Sequence, residues 1–318
     1  MEWIKGISPI TFPGLGISID PASGFTVGPL HVNFYGVLIA LGLLLAVVYG
    51  WKRANQFGIK QDDLTDGVLW IVPFAIICAR LYYCAFKWEE EGYGADPLRI
   101  LYIWKGGLAI YGGVIGAALG TVIHCLVKKM KITAVLDLVG MGFLIGQSIG
   151  RWGNFFNREA FGAETDSFLR MGLQLTADRK ASAEMLYYHP TFFYESLWNA
   201  AGFLLLHFLS KRRKYDGQIA LGYVAWYGLG RTFVEALRTD SLYIGPFRVS
   251  QLLAAVSCFG AVVVLLLMMF KEHSPEKLFV NQVAARAAAA EETEEIAEEA
   301  VEEVTEEEIS ETENTEEE

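Results

Sequence analysis

The densest cluster of polar side chains in this sequence is a short run, Gly150-Arg-Trp-Gly-Asn-Phe-Phe-Asn-Arg-Glu-Ala-Phe-Gly162. Two arginines, two asparagines and a glutamate alternate here with a tryptophan and three phenylalanines. The aromatic rings should keep the run at a membrane–water interface, where such rings prefer to lie. Arginine can hold two phosphate oxygens with parallel hydrogen bonds. The run therefore predicts a phospholipid headgroup site, although a re-entrant loop stabilised by its own polar groups is the alternative.

A second polar pair interrupts an apolar stretch near the end of the chain. Arg231 and Glu235 are one helical turn apart and continue a row that begins with Tyr223 and Tyr227. An ionisable residue in a membrane span is costly to desolvate, which makes it a functional candidate. A purely structural ion pair between the two is the alternative.

Other polar residues fall inside apolar stretches and have simpler alternatives. Tyr35, Tyr111 and Glu195 lie towards the same side as the two clusters above. Arg80 lies there too, although it could extend its head to nearby lipid headgroups. Asp137 should pair with the lysines at 128–131, and His124 and His207 should be structural. The common side of the first group predicts one extracytoplasmic site.

The elements that must position these residues are membrane helices. The 318 residues are 53% hydrophobic and 20% charged, with a mean hydropathy of +0.31, which is typical of a multi-pass membrane protein. Seven stretches approach the ~20 apolar residues that a bilayer crossing needs. They cover residues 32–51, 67–86, 106–127, 132–150, 190–209, 217–237 and 249–270. The predicted fold is all-α, a seven-helix polytopic membrane protein with an extracytoplasmic loop region and a disordered acidic tail.

The basic residues of the loops predict the orientation. Loops 51–65, 128–133 and 210–217 hold 10 Lys and Arg in 29 positions, whereas the opposite loops hold 11 in 102. Short loops rich in Lys and Arg stay in the cytoplasm. The N-terminus should therefore lie outside and the C-terminus inside. Residues 1–30 have no uninterrupted apolar run, so we expect an extracytoplasmic surface segment rather than a cleavable signal peptide.

The net charge of −11 comes from one end of the chain, because residues 291–318 contain 16 glutamates. The chain thus divides into an extracytoplasmic segment 1–30, a membrane domain 31–272 and a cytoplasmic tail 273–318. Repulsion among the glutamates predicts a disordered tail, with a docking tail as the alternative. A nucleic-acid binder is excluded, because no soluble basic face is evident. The four cysteines lie in apolar runs without metal-ligand spacing, so neither a disulfide framework nor a metal site is expected.

The run from Gly150 to Gly162 resembles the signature of the prolipoprotein diacylglyceryl transferases, Gly-Arg-x-Gly-Asn-Phe-x-Asn-x-Glu followed by a glycine. Further similar segments span residues 30–270: FYG around Tyr35, WKGGLAIYGG at 104–113, HPTFFYE at 189–195 and GRTFVEALRTD at 230–240. The resemblance implies seven membrane helices in a bacterial cytoplasmic membrane, with the N-terminus outside. It also implies transfer of the diacylglyceryl group of phosphatidylglycerol to the lipobox cysteine of a prolipoprotein signal peptide. No cofactor is implied.

The resemblance also suggests roles for individual residues. Arg151 matches the arginine that binds phosphatidylglycerol, and the rest of that motif is filled by Asn154, Asn157, Glu159 and Gly162. Arg231 and Glu235 match a second functional pair, and Tyr35 matches a functional tyrosine. The predicted catalytic residues are Tyr35, Tyr111, Arg151, Glu159, Arg231 and Glu235. The predicted substrate-binding residues are Arg151, Asn154, Asn157, Gly162 and Arg231.

This sequence departs from the family pattern at two positions. Tyr111 stands where many members have a histidine that is proposed as a catalytic base. A tyrosine, with a pKa of about 10, is a poor base at neutral pH. Tyr111 therefore forms a hydrogen bond to substrate, or the base lies elsewhere, with Glu159 and Glu235 as candidates. Phe192 stands where the family has glutamine. Arg158 occupies an unspecified motif position, so a lysine there should be tolerated.

Two other functions fit a polytopic membrane protein. A small-solute transporter commonly shows internal repeats and a site at the middle of the membrane, and neither is evident in this sequence. A structural membrane scaffold would not need two arginines in apolar surroundings near one surface.

Overall fold

The computed structural model describes residues 2–4, 6–28, 30–103, 106–239 and 243–293. Seven long helices fall on the seven predicted spans. They are α1 (Phe34–Arg53), α2 (Gln61–Phe86), α3 (Ile110–Val127), α4 (Ile132–Asn157), α5 (Thr191–Ser210), α6 (Gln218–Leu237) and α7 (Val249–Met269).

Five of these helices are long and apolar enough to cross a membrane, namely α1, α2, α3, α4 and α7. Helices α5 and α6 fall short of that hydropathy. They carry buried charged residues, Glu195 on α5 and Glu235 on α6, and these lower the mean hydropathy of their segments. The protein is thus a mostly helical protein with several membrane-crossing helices.

The expectation of an all-helical fold is wrong, because short strands flank the helices. They are β1 (Glu2–Ile4), β2 (Ile10–Phe12), β3 (Ile17–Ile19), β4 (Gly24–Val27), β5 (Leu30–Asn33), β6 (Met171–Leu175), β7 (Ala181–Tyr188), β8 (Tyr243–Ile244) and β9 (Phe247–Arg248). They form antiparallel sheets in the orders β1-β4-β5, β3-β2-β6-β7 and β8-β9. Hydropathy hides such strands because each has only two to eight residues.

The second sheet joins the N-terminal segment to the loop after α4. Ile10 of β2 pairs with Leu173 of β6, and both are completely buried. Their hydrophobic cluster includes Phe155 at the end of α4 and Phe192 at the start of α5. Segment 1–30 therefore packs directly on the helix ends that carry the polar clusters.

Helix α4 is the central helix of the bundle and packs against α1, α5 and α6. It continues to Asn157, seven residues beyond the predicted end of the span at residue 150. Arg158 ends it in a left-handed conformation, with a φ of 51°. Most of the polar run is therefore the last two turns of a helix and not a loop.

Helices α2 and α3 pack closely at a glycine of α3. A Cβ atom on Gly116 would lie 3.1 Å from the Cα of Ala75, so any side chain there would push α2 and α3 apart. Small residues of this kind let helix backbones approach closely in lipid.

The expected pairing of Asp137 with nearby lysines is wrong. The Asp137 carboxylate instead accepts hydrogen bonds from the backbone N–H groups of Gly217 and Ala220, both at 2.8 Å, and so caps the start of α6. Lys128 pairs with Asp63 and Asp66 of α2, which raises the pKa of Lys128 to about 12. His124 accepts a hydrogen bond from the Trp70 indole at 3.0 Å, as expected of a structural histidine.

The first part of the predicted disordered tail is ordered. Residues 279–293 are helical, and Phe279 is 5% exposed. The Phe279 N–H donates to the Asp216 carboxylate at 2.8 Å, which fixes this segment to the end of the bundle where α6 begins. Residues 294–318, which hold most of the glutamates, lie outside the described residues.

Candidate active site at the end of α4

Four charged side chains from three helices form a continuous chain. Arg151 contacts one oxygen of the Glu195 carboxylate through Nε. Arg231 donates from Nη1 to the other oxygen of that carboxylate, at 2.7 Å. Arg231 also contacts Glu235 on its own helix. Two positive and two negative charges are thus held together, and we call Arg151, Glu195, Arg231 and Glu235 the charge chain.

The helix ends explain how the charge chain forms. Arg151 lies in the last two turns of α4, Glu195 in the first two turns of α5, and the Arg231–Glu235 pair in the last two turns of α6. The side chains of the two glutamates are 6% and 3% exposed, whereas those of Arg151 and Arg231 are 21% and 15% exposed. The carboxylates are therefore enclosed, and the guanidinium groups lie nearer the open side.

A second group of polar side chains is centred on Glu159, and we call Asn154, Asn157 and Glu159 the Glu159 cluster. Glu159 Oε1 accepts hydrogen bonds from the side-chain amides of Asn154, at 3.1 Å, and Asn157, at 3.2 Å. Arg179, from the turn between β6 and β7, contacts the other Glu159 oxygen at 3.4 Å. Asn154 in turn accepts a hydrogen bond from Arg151 at 3.3 Å. Glu159 thereby fixes which way both amides face, and it connects them to the charge chain.

Gly162 joins the polar run to the end of α6. Its N–H donates to the His189 carbonyl at 2.9 Å, and the next N–H, of Ala163, donates to the Leu237 carbonyl at 2.7 Å. A Cβ at Gly162 would lie 2.9 Å from that Leu237 oxygen and 2.8 Å from the His189 Cβ. Only glycine fits this backbone contact. Burial lowers the pKa of His189, so the ring beside this contact favours its neutral form.

A cavity of about 580 Å³ opens beside the charge chain, between α1, α2, α3 and α4. Tyr35, Arg151 and Asn154 line one end, and mostly aliphatic side chains line the rest. Along α1 the lining runs from Tyr35 to Gly50, about 22 Å at 1.5 Å per residue. Tyr35 packs on the α4 backbone at Gly153, where a Cβ atom would overlap the Tyr35 ring. The cavity is therefore a long, mostly apolar groove with three polar side chains at this end.

Comparisons with known proteins agree with this geometry. Residues 23–267 match the model of a family described as prolipoprotein diacylglyceryl transferase. The chain belongs to that family.

Several relatives carry the name phosphatidylglycerol–prolipoprotein diacylglyceryl transferase. One from Bacillus cytotoxicus is 44% identical over 230 residues, which cover 72% of this chain and 84% of the relative. One from Listeria welshimeri is 42% identical over 238 residues, covering 74% and 85%. One from Listeria monocytogenes is 39% identical over 259 residues, covering 81% and 92%. Membership of this family makes the protein a transferase.

The structure brings most of the residues expected from the diacylglyceryl transferase motifs to one place. The charge chain contains Arg151, Arg231 and Glu235. The neighbouring Glu159 cluster contains Asn154, Asn157 and Glu159. Tyr35 lines the groove. Tyr111 does not contact these residues; it lies in the first turn of α3 with its side chain 68% exposed.

Sequence reasoning placed Glu195 on the side of the predicted site without giving it a role, and it left Arg179 out altogether. Glu195, which bridges the two arginines, carried a signal, because it is a charge inside an apolar span within the segment HPTFFYE. Arg179 carried none, since it lies in a polar turn 22 positions from Asn157. Only the fold brings that turn over the end of α4.

Three residues hold the site without reaching the groove. Arg80 donates to the backbone carbonyls of Arg99, Ile100, Gly106 and Gly107, at 2.7–2.9 Å, so it fixes a loop and does not extend to lipid headgroups. Arg158 is 1% exposed and donates to three backbone carbonyls and to Asp20. Burial lowers the pKa of Arg158 despite the opposing effect of Asp20. Phe192 packs among Trp152 and Phe155, which explains an apolar residue at this position.

Proposed function

We propose that the protein transfers the diacylglyceryl group of phosphatidylglycerol to the lipobox cysteine thiol of a prolipoprotein signal peptide. The observation that carries the proposal is the position of Arg151. Its guanidinium belongs to a buried charge chain and also lines the polar end of a long apolar groove. A phospholipid has the matching shape, an anionic phosphate attached to apolar chains.

The dimensions of the groove support this match. The hydrocarbon of one leaflet is about 15 Å deep, half of the ~30 Å bilayer core. The groove extends about 22 Å along α1, so an acyl chain can lie in it while the phosphate stays beside Arg151 and Asn154.

The reaction requires a thiolate and a stabilised leaving group. The cysteine thiol first gives its proton to a base, for which Glu159 and Glu235 are the candidates, because the thiolate is the nucleophile. Its sulfur then bonds to the glyceryl carbon that carries the phosphate ester. The carbon–oxygen bond to the phosphate breaks, and glycerol phosphate leaves with the electron pair. Donors held in advance at the developing charge accelerate such a step, and in this proposal Arg151 and Arg231 supply them. The proton finally leaves with the released phosphate group.

The acidic residues of the site orient other side chains in this proposal. Glu195 and Glu235 orient the two guanidinium groups, since each contacts an arginine. Glu159 orients the amides of Asn154 and Asn157 towards substrate. Gly162 permits the close backbone contact that joins the polar run to the end of α6. Tyr35 is proposed to contact the lipid from the wall of the groove, and Tyr111 to form a hydrogen bond to the second substrate.

We further propose that all seven helices cross the membrane, with the charge chain on the outer side. The basic residues support this orientation, because Lys131 and the 210–217 loop lie at the end of α4 opposite Arg151. Residues 1–30 then lie outside the cell, 31–272 form the membrane domain, and 273–318 lie in the cytoplasm. Labelling of Ala181→Cys and Arg212→Cys variants in intact cells tests this. An impermeant maleimide should modify the first and not the second; the reverse pattern would contradict the orientation.

The activity is tested with the full chain reconstituted in phosphatidylglycerol vesicles. A synthetic lipobox peptide should gain the mass of one diacylglyceryl group at its cysteine. A peptide with serine in place of cysteine, and vesicles of phosphatidylethanolamine, are the controls. Absence of the mass gain with folded protein and phosphatidylglycerol would refute the proposal.

A further inference from the structure

A second, smaller cavity lies at the end of the bundle opposite the charge chain. Its volume is about 250 Å³, and it is bounded by the residue before α4, the loop before α6 and the segment that follows α7. Four lysines line it, together with an aromatic pair: Lys131, Lys214, Lys271, Lys277, Tyr215 and His273. We call this cavity the lysine pocket.

The charges of the lysine pocket are unbalanced. Two acidic residues, Asp216 and Glu272, accompany the four lysines in its lining. Asp216 is already engaged, because its carboxylate contacts Lys131 at 3.0 Å and the Phe279 N–H at 2.8 Å. Within the described ranges, no carboxylate lies within 4.0 Å of the ammonium groups of the other three lysines. Three ammonium groups therefore remain for an external anion.

The walls of the lysine pocket are held in place. The Tyr215 ring stacks on the His273 ring, with centroids 4.6 Å apart and planes 25° apart. His273 Nε2 lies 2.7 Å from the Met268 carbonyl, which ties the segment after α7 to the helix end. Lys131 also donates to the Lys277 carbonyl at 3.3 Å. These contacts hold together the three separate segments that carry the lysines.

The pocket also adjoins the apolar surface of a membrane helix. Met269 and Phe270, directly before Lys271, are 75% and 89% exposed. They continue the exposed apolar face of α7, one of the helices apolar enough to cross a membrane. An anion held by Lys271 is therefore at the depth where headgroups meet acyl chains.

We propose that the lysine pocket binds a phosphate group, that of an anionic lipid in the leaflet at this end of the bundle. In the orientation proposed above, that is the cytoplasmic leaflet. Basic pockets beside membrane helices on the cytoplasmic side bind anionic headgroups in this way. The volume is below the 300–1,000 Å³ of a site that encloses a whole drug-sized ligand. It suits a headgroup whose acyl chains lie outside, along α7.

The test measures how fast individual lysines react with an acylating reagent, by peptide mass spectrometry. The full chain is placed in phosphatidylcholine discs, in discs that also contain phosphatidic acid, and in phosphatidylcholine discs with inorganic phosphate at matched ionic strength. We expect phosphatidic acid to slow the acylation of Lys214, Lys271 and Lys277 severalfold. Lys60 and Lys211, at the same end but outside the pocket, should keep their rates. They control for the general effect of surface charge on the reagent.

The outcomes separate the two sources of phosphate. Slowing by phosphatidic acid alone identifies a lipid headgroup, and equal slowing by inorganic phosphate identifies a site for soluble phosphate. No slowing, or equal slowing of Lys60 and Lys211, overturns the proposal. In a Lys214→Gln/Lys271→Gln variant, the slowing at Lys277 should disappear. In a Lys60→Gln/Lys211→Gln variant it should persist, and its loss there would also overturn the proposal.

Discussion

The two ends of α4 both carry buried charges, but the charges have different kinds of partner. At the start of α4, the Asp137 carboxylate accepts hydrogen bonds from two backbone N–H groups of α6. At the other end, Arg151 and Arg231 contact side chains, and Arg151 lines the groove. A charged group whose partners are backbone groups stabilises the fold and is not available to a ligand. Side-chain partners orient a charge while leaving it free to meet a ligand, which supports the second end as the site of the proposed chemistry.

The sharpest test of this comparison is Arg151→Lys. Lysine keeps the charge but lacks the planar fork that grips two phosphate oxygens. We expect transfer to fall by about 10²–10³, the usual cost of losing one such donor. The protein should still accumulate in the membrane. Transfer of labelled diacylglyceryl to a lipobox peptide, normalised to membrane protein, is the measurement.

Arg170→Lys is the matched control for that variant. Arg170 lies in the segment that follows α4, and its hydrogen bonds go to the carbonyls of Asp166 and Ser167 in its own turn. Its transfer rate should stay near that of the unaltered protein. Near-normal transfer by Arg151→Lys would remove Arg151 from the catalytic set.

A pair of isosteric changes compares the two ends directly. Glu195→Gln removes the charge that bridges two arginines, and unpairing a buried ion in this way costs about 3–5 kcal/mol. We expect a large loss of turnover per folded molecule as well. Asp137→Asn should cost about 1–3 kcal/mol, because an amide N–H would face a backbone donor. Its turnover per folded molecule should be unchanged. Thermal unfolding measures the change in stability, and the transfer assay measures turnover. Equal turnover in both variants would contradict the proposed difference between the two ends of α4.

Arg158→Lys should act on stability and not on chemistry. A lysine cannot reach three carbonyls and Asp20 at once, so we expect a loss of about 1–3 kcal/mol in unfolding free energy. The sequence-based expectation of a tolerated substitution concerned transfer, and it stays a prediction for turnover; the loss expected here is one of stability. The measurement is the unfolding temperature in detergent. A loss of turnover in the folded fraction would instead place Arg158 in the chemical step.

Mild acid should lower the stability of the folded protein slightly through protonation of His189. Burial holds the pKa of His189 below its ordinary value of 6.5. The unfolded chain therefore takes up its proton first as the pH falls, and stability is lost from about pH 6.5 downwards until the folded state is protonated as well. His189→Gln should flatten this part of the profile of unfolding temperature against pH. An unchanged slope in that variant would assign the effect to another group.

The smallest effect is expected for deletion of residues 294–318. The deletion spares the segment around Phe279 that is docked on Asp216, and the proposed chemistry lies at the opposite end. Transfer activity at equal protein level should be nearly unchanged. A severe loss would show that the glutamate-rich end acts on turnover.

The sequence by itself determined the seven helices and their approximate bounds. Runs of apolar residues are a local property, and a helix satisfies its backbone hydrogen bonds within one segment. The sequence also indicated most residues of the candidate site, because charges in apolar surroundings and a thirteen-residue motif are visible without any fold. It missed the short strands of residues 2–33 and 171–188, whose pairing joins segments more than 150 positions apart.

Only the tertiary structure decided which partner each charge has. Arg151, Arg158 and Arg80 have the same chemistry and lie in similar sequence surroundings, yet one lines a groove and two are bound to backbone carbonyls. Glu195 became part of the site because α5 begins beside the end of α4 and the end of α6. A buried charge requires a partner, and no residue's own sequence neighbourhood says which distant atom supplies it. That choice is made when the helices pack.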